Sequence, residues 1–263
     1  MPARPLALVT GASSGIGRAL ALRLAKGGYD LILSGRDAAQ LRVVQRAAKD
    51  LGAASDIVLA DLSLPGAVGR VYEALDRRPL EVLVNNAGFT VHGDFSETDL
   101  KDEMSMIAVH VGAVLELTKL VLPGMLARKK GRILNVGSVY SFAPVPHQAV
   151  YGATKAFLLS FSDSLWAELR GSGVSVTSLC PGITRTEFRS RAGVSTKRMS
   201  GMSAEAVAEC GYRGMMAGRR LVVPGLLNKL FVFVARRIPS GAIPVLTGII
   251  SRFRGLGPAQ KRL

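Results

Sequence analysis

The chain has 263 residues, 48% of them apolar, with 34 basic against 19 acidic residues and a formal net charge of +15. That content can bury a large core, which excludes a disordered chain and suits a single α/β domain. Two cysteines, Cys180 and Cys210, are too few for a disulfide framework, and no histidine lies at metal-ligand spacing from them, so the expectation is a reducing compartment and no metal.

Apolar runs alternate with helical patterns along the chain. "LALVT" (6–10) predicts a buried strand, followed by a helix over 15–26 with Ile16, Leu20 and Leu24 on one face. "DLILSG" predicts a second strand and 37–51 a helix. "DIVLADL", "EVLVNNAG", "GRILNVGS" and "VSVTSLCPG" repeat the strand signal, and long helices are predicted over 99–128 and 150–171. "RRLVVPG" reads as one more strand. Strands that are continuous Val/Ile/Leu runs are buried on both faces. The prediction is a doubly wound, mostly parallel α/β sheet of the Rossmann type over residues 1–225, with 226–263 as a C-terminal extension packed on it.

The charge is unevenly placed. After Glu209 there is no acid, while Arg213, Arg219, Arg220, Lys229, Arg236, Arg237, Arg252, Arg254, Lys261 and Arg262 follow. This apolar and basic end fits an anionic membrane surface or an acidic partner. The plainer reading, preferred here, is helices packed on the core with their bases in water. No secretory signal is read ahead of the strand at residue 6, and no uninterrupted apolar run reaches the length of a membrane span. The best candidate, after Gly225, is broken by Lys229, Arg236, Arg237, Pro239 and Pro244. The expected location is the cytoplasm, with peripheral membrane contact as the alternative. Bases do not alternate with aromatics, so nucleic acid is not an expected partner.

Ligands of such sheets sit beyond the carboxyl ends of the strands. "TGASSGIG", "NNAG", "GS" and "PGITRTEF" all fall there. In the first, Gly11, Gly15 and Gly17, with Ser13, Ser14 and Ile16 between them, form a strand-to-helix turn. Glycine allows positive φ and close approach, and N–H groups at the helix start suit phosphate oxygens. The second strand ends in Gly35 and Arg36, where an acid would bind ribose hydroxyls; a guanidinium there suits a 2′-phosphate, hence NADP(H) over NAD(H). An arginine in water before the helix cap Asp37 is the plainer reading.

Tyr151 and Lys155 are four apart on a predicted helix and share a face. A phenol titrates near pH 10, and an ammonium close by would bring it toward the range useful for proton transfer. Ser138, at a strand end, could donate a hydrogen bond to a substrate oxygen.

Taken in order, these motifs resemble the short-chain dehydrogenase/reductase family over about 6–223: "TGASSGIG", Asp61–Leu62, "NNAG" at Asn85–Gly88, Ser138 thirteen residues before Tyr151, "YGATK" and "PGITRT". The resemblance implies an NAD(P)H enzyme. Tyr151 would be the general acid/base, Ser138 would orient the carbonyl or alcohol, and Lys155 would hold the nicotinamide ribose and lower the Tyr151 pKa. It also implies that Asp61 and Leu62 meet the adenine, that Asn85, Ala87 and Gly88 support the cofactor and central sheet, and that Pro181, Gly182, Ile183 and Thr186 hold the nicotinamide end. One position departs from the family: "HVGAVLELT" puts His110 where an Asn is usual. That Asn is thought to hold a water linking the Lys to solvent, so His110 could run the relay, make it pH-sensitive, or impair turnover. A core histidine bonded to a backbone carbonyl is the plain alternative.

Phe89, Val91, His92, Phe142, Val145, His147 and Phe188 follow the strand-end motifs and are expected to face a mainly apolar substrate. The expected activity is hydride transfer between NADP(H) and a hydrophobic carbonyl or alcohol, with residues 187–207 as a lid. Arg and Lys in that lid leave an acyl thioester or acidic conjugate open. The alternative function is a dinucleotide-binding sensor or scaffold with little turnover. The resemblance further implies a homo-dimer or homo-tetramer through the long helices.

Overall fold

The computed structural model describes residues 4–186 and 201–238. Its elements run β1 (Leu6–Thr10), α1 (Gly15–Lys26), β2 (Asp30–Gly35), α2 (Ala38–Asp50), β3 (Ser55–Leu59), α3 (Ala67–Glu73), β4 (Leu80–Asn85), α4 (Leu100–Ile107), a π turn (Ala108–Gly112) and α5 (Ala113–Ala127). There follow β5 (Gly131–Val136), a 3-10 turn (Val139–Phe142), α6 (Ala149–Glu168), β6 (Val174–Leu179), β7 (Thr184–Arg185), β8 (Met202–Ser203), α7 (Ala204–Met216), β9 (Leu221–Val222) and α8 (Leu226–Ala235).

Seven strands form one parallel sheet in the order β3-β2-β1-β4-β5-β6-β9. The chain reverses direction across the sheet between β1 and β4, which opens a crevice at their carboxyl ends. Residues along β1 alternate between two cores. Ala7 and Val9 face Leu20, Leu24, Leu41 and Val207 of α1, α2 and α7. Leu6 and Leu8 face Val71, Leu117, Val121 and Leu165 of α3, α5 and α6. Burial on both faces is why these strands read as unbroken apolar runs.

A polar ladder crosses the second core. Asn85 Nδ2 donates to Asn135 Oδ1 (2.9 Å) and to Thr118 Oγ1 (3.3 Å), and Asn135 Nδ2 donates to Ser162 Oγ (2.8 Å). It ties β4 and β5 to α5 and α6 with buried polar groups partnered, as burial demands.

The predicted helix over 99–128 is one continuous helix, Leu100–Ala127, interrupted by the π turn. By length and composition it could cross a membrane, with 44% of its most apolar window buried. Among the described residues it is the only helix that long and that apolar; the later part of the candidate after Gly225 lies outside them. Its inward face, Leu117, Val121 and Met125, packs on the sheet, as a core helix does. The predicted lid lies mostly outside the described residues; its last part, 204–207, begins α7.

The ladder yields a test. Asn135→Ala leaves Asn85 and Ser162 short of a partner and is expected to cost about 1–3 kcal/mol, read as a drop of several degrees in the melting midpoint with the fold retained by circular dichroism.

Candidate active site

The turn between β1 and α1 is shaped by steric limits. Gly11 and Gly15 adopt φ of +64° and +55°, where a side chain is strained. A Cβ on Gly17 would lie 2.2 Å from Gly11 O and 2.3 Å from Asn86 Nδ2. Asn86 is the pin of this turn, its Nδ2 donating to Thr10 O (2.9 Å) and Gly11 O (3.2 Å). Thr10 Oγ1 accepts from Asn86 N and Ala87 N, each at 3.0 Å. The turn after β1 is thus tied to the turn after β4. Ser14 caps α1 without a side-chain bond to its first turn, so the opening N–H groups of the helix remain for a ligand.

A cleft of about 1650 Å³ runs across the carboxyl edge of the sheet. Gly11, Ser13, Ser14, Gly15, Ile16, Gly17, Arg36, Asp61, Leu62, Ala87 and Gly88 line it, together with Ser138, Tyr151, Lys155, Pro181, Gly182, Ile183 and Thr186. Asn85 does not: its side chain is in the ladder, and Asn86 takes the place on the wall. Ser34 Oγ is buried on the same wall with no hydrogen-bond partner, a polar atom waiting for one.

Arg36 reaches the cleft from the end of β2, its side chain 64% exposed and 3.5 Å from Asp61 Oδ2. Partial burial pushes the Asp61 carboxyl up, but the Ser63 N–H and O–H and the Arg36 guanidinium outweigh it and hold the carboxyl below its ordinary range.

Ser138 caps the 3-10 turn, its Oγ accepting from Tyr140 N at 3.2 Å; the hydroxyl proton remains for a donor role. Tyr151 and Lys155 lie one turn apart on α6, both buried. Lys155 Nζ donates to Val136 O (3.0 Å) and stands 5.7 Å from the centre of the Tyr151 ring. Burial pulls the Lys155 pKa down from 10.5 to about 8. Behind them lies Cys180, fully buried, its thiol pushed up to about 12 by burial; Cys210 is half-buried.

His110 is off the cleft wall, on the π turn, 1% exposed. Its Nε2 accepts from Phe89 N (3.2 Å), so the ring proton is on Nδ1 and donates to Thr154 Oγ1 (2.9 Å), whose hydroxyl donates to Tyr151 O (2.8 Å). Burial, then the Lys155 charge, holds its pKa well below 6.5. Both ring nitrogens are committed and the imidazole is neutral.

Of the residues expected to face substrate, Phe89 lines the cleft; Phe188 lies outside the described residues. Val91, His92, Phe142, Val145 and His147 do not line it. The loops carrying them clasp each other instead: Gly93 N donates to His147 O (2.9 Å), His147 Nδ1 meets Asp94 Oδ1 (2.7 Å), and Gln148 Nε2 donates to Thr90 Oγ1 (2.7 Å). Met202, from the expected lid, is on the wall, and residues not expected make the rest of it: Thr90, Val139, Tyr140, Gln148 and, from α8, Leu226, Leu227 and Phe231. Tyr140, two residues past the strand-end Ser138, was the findable one.

Residues 5–197 match the family model for short chain dehydrogenases. A short-chain type dehydrogenase/reductase of uncharacterized function from Sinorhizobium fredii is 40% identical over 187 residues, covering 70% of this chain and 71% of that one. A short-chain dehydrogenase from Sphingobium yanoikuyae, solved in complex with NADPH, superposes with a TM-score of 0.80 at 31% identity, covering 98% of each chain. A bulky-bulky ketone specific alcohol dehydrogenase from Comamonas testosteroni gives 0.77 at 28% identity, covering 89% of this chain and 95% of that one. The chain belongs to the short-chain dehydrogenase family, a class of oxidoreductases.

The buried lysine sets a pH dependence. Lys155 titrates near 8 when folded and near 10.5 when unfolded, so between these values the unfolded chain binds more protons. Lys155 therefore contributes stability that rises with pH through that window, and the Cys180 thiol, raised from 9.0 to about 12, opposes it above about pH 9. Denaturant unfolding of the cofactor-free protein should show the rise between about pH 8 and 9, and across the whole window the parent should gain stability relative to Lys155→Met; an unchanged slope in the variant would assign the rise to other groups.

Proposed function

We propose that the protein transfers hydride between NADP(H) and an apolar ketone, aldehyde or alcohol. The observation that carries this reading is that Ser138, Tyr151 and Lys155 line the same cleft as the glycine turn. The turn at Gly11, Gly15 and Gly17 lines the cleft, and the opening N–H groups of α1 suit the charge of a diphosphate. Arg36 is the group for the 2′-phosphate, since an exposed pair at 3.5 Å opens at little cost. Asp61 and Leu62 border the adenine end, with Ala87 and Gly88 beneath, and Pro181, Gly182, Ile183 and Thr186 border the nicotinamide end. When bound, the nicotinamide supplies or accepts the hydride.

Ser138 donates its hydroxyl proton to the substrate oxygen, and Tyr151 gives or takes the proton at that oxygen. Lys155, charged below about pH 8, favours the phenolate and hydrogen-bonds the ribose. His110 acts as a neutral brace: it holds the Phe89 amide on one side and the Tyr151 turn of α6 on the other, and it carries no proton between Lys155 and solvent. Phe89, Leu226, Leu227 and Phe231 make the substrate end apolar, so residues 226–235 belong with the catalytic unit. Exposed Leu115, Leu126 and Phe157 on α5 and α6 support a homo-oligomer through those helices.

Fluorescence titration with each nucleotide is the test. NADPH should bind at least about tenfold more tightly than NADH, one well-placed charge contact being worth that much, and Arg36→Ala should remove the difference. Equal affinity in the parent would overturn the NADP preference; no binding of either would overturn the whole reading.

Tyr151→Phe should keep NADPH binding and lose about 10²–10⁴-fold in turnover, the usual contribution of a general acid/base. A variant that retains its rate would remove Tyr151 from the chemistry.

A further inference from the structure

The helix α8 carries a surface that neither the core nor the cleft uses. Val232 and Ala235 are its buried positions. Leu230, Phe233 and Val234 are 57%, 53% and 42% exposed. They follow Leu226 at i+4, i+7 and i+8, so they form one ridge along the helix. Leu226 and Leu227, 83% and 82% exposed, start that ridge and also line the cleft. The ridge therefore runs outward from the cleft mouth.

Bases flank it. Arg237 lies over the Phe233 ring at 3.5 Å, Arg236 over Phe142 at 5.2 Å, and Lys229 is exposed beside Leu230. None of the three has an acidic partner among the described residues. Of the other late bases among the described residues, Arg213 pairs with Glu209 and Arg220 with Asp163, while Arg219 has no ion pair there, so three of the four late bases without one are on α8 or at its end. An apolar ridge edged by Lys and Arg is the pattern of a helix that lies in a lipid interface.

We propose that α8 seats the mouth of the cleft on an anionic lipid surface. Charge selects this occupant over the others. Residues 239–263 bring no acid to pair with the bases that edge the ridge, their own four bases lying at 252–262, and a second copy of the chain brings a net +15 against those bases. Phosphate of a nucleic acid would match the bases and leave Leu230, Phe233 and Val234 in water. An anionic bilayer satisfies both, taking the ridge below the headgroups and the bases among them. The seating stands apart from the catalytic reading; its consequence, that an apolar substrate enters from the lipid, rests on it.

The test uses the full-length protein, cosedimented with phosphatidylcholine vesicles and with vesicles containing phosphatidylglycerol, at low and high salt. Binding should need the anionic lipid and weaken with salt. Leu230→Ser/Phe233→Ser and Lys229→Glu/Arg237→Glu should each lower the partition by about tenfold or more. None of these four lines the cleft, so NADPH binding should be unchanged, which also reports that the variants fold. Loss of NADPH binding in the parent would sink the catalytic reading and leave the seating to be judged by the vesicles alone. The proposal is overturned if the parent ignores anionic vesicles at low salt. It is equally overturned if binding survives the Leu230/Phe233 change, which would give the contact to residues 239–263. A fall in oligomer mass in that variant without vesicles, with no loss of vesicle binding, would make the ridge a subunit contact.

Discussion

Thr10 and Asn86 hold together the ends of the two central strands, and the cleft depends on that tie. The threonine hydroxyl takes two backbone N–H groups from the start of the loop after β4, and the asparagine amide takes two carbonyls from the end of β1 and its turn. Between them they satisfy the backbone at the point where the sheet opens, which burial otherwise penalises. The consequences spread in both directions: the glycine turn is closed against Asn86, and the loop that starts at Ala87 is aimed toward His110 and α6. A ligand bridging the turn and Tyr151 would span a distance set by this one tie.

Much of this was legible in the sequence, for definite reasons. Leu6–Thr10, Gly15–Lys26 and Asp30–Gly35 have the predicted bounds, because a doubly buried strand is an apolar run and its ends are marked by glycine and polar caps. The cleft-lining motifs were legible because their order along the chain maps onto strand ends on one edge. What was not legible depends on direction rather than identity. "NNAG" does not say which asparagine faces the cleft. Strand parity does: Asn85 shares a face with Leu83, and Leu83 belongs to the core with Leu117 and Ile133. The apolar residues after β4 and after Ser138 were expected on the cleft wall. Apart from Phe89 they are absent from it; the loops that carry Val91 and Val145 are tied to each other by hydrogen bonds, and such bonds leave no periodic trace. The π turn is a change of hydrogen-bond register inside a helix and has no compositional signature at all.

The electrostatics of the site follow from dryness. One buried ammonium sits among Val136, Tyr151 and Cys180, and burial is the main cause that shifts both the amine and the thiol far from their values in water. The same dryness keeps His110 uncharged. Placing a titrating imidazole near a buried lysine would set two cations against each other; fixing the ring between a backbone N–H and a threonine removes that conflict and turns a titratable residue into a structural one.

That arrangement links two positions that are far apart in the chain. A Cβ on residue 88 would lie 2.5 Å from His110 Nε2, and the φ of Gly88 is not positive, so the glycine is required by the imidazole and not by its own backbone. The two sites are therefore epistatic. Any larger residue at 88 is barred while the histidine stands, and a smaller residue at 110 would have to arrive first. The order in which this pair can change is restricted, and a lineage that has acquired the histidine has closed position 88 to variation until it gives the histidine up.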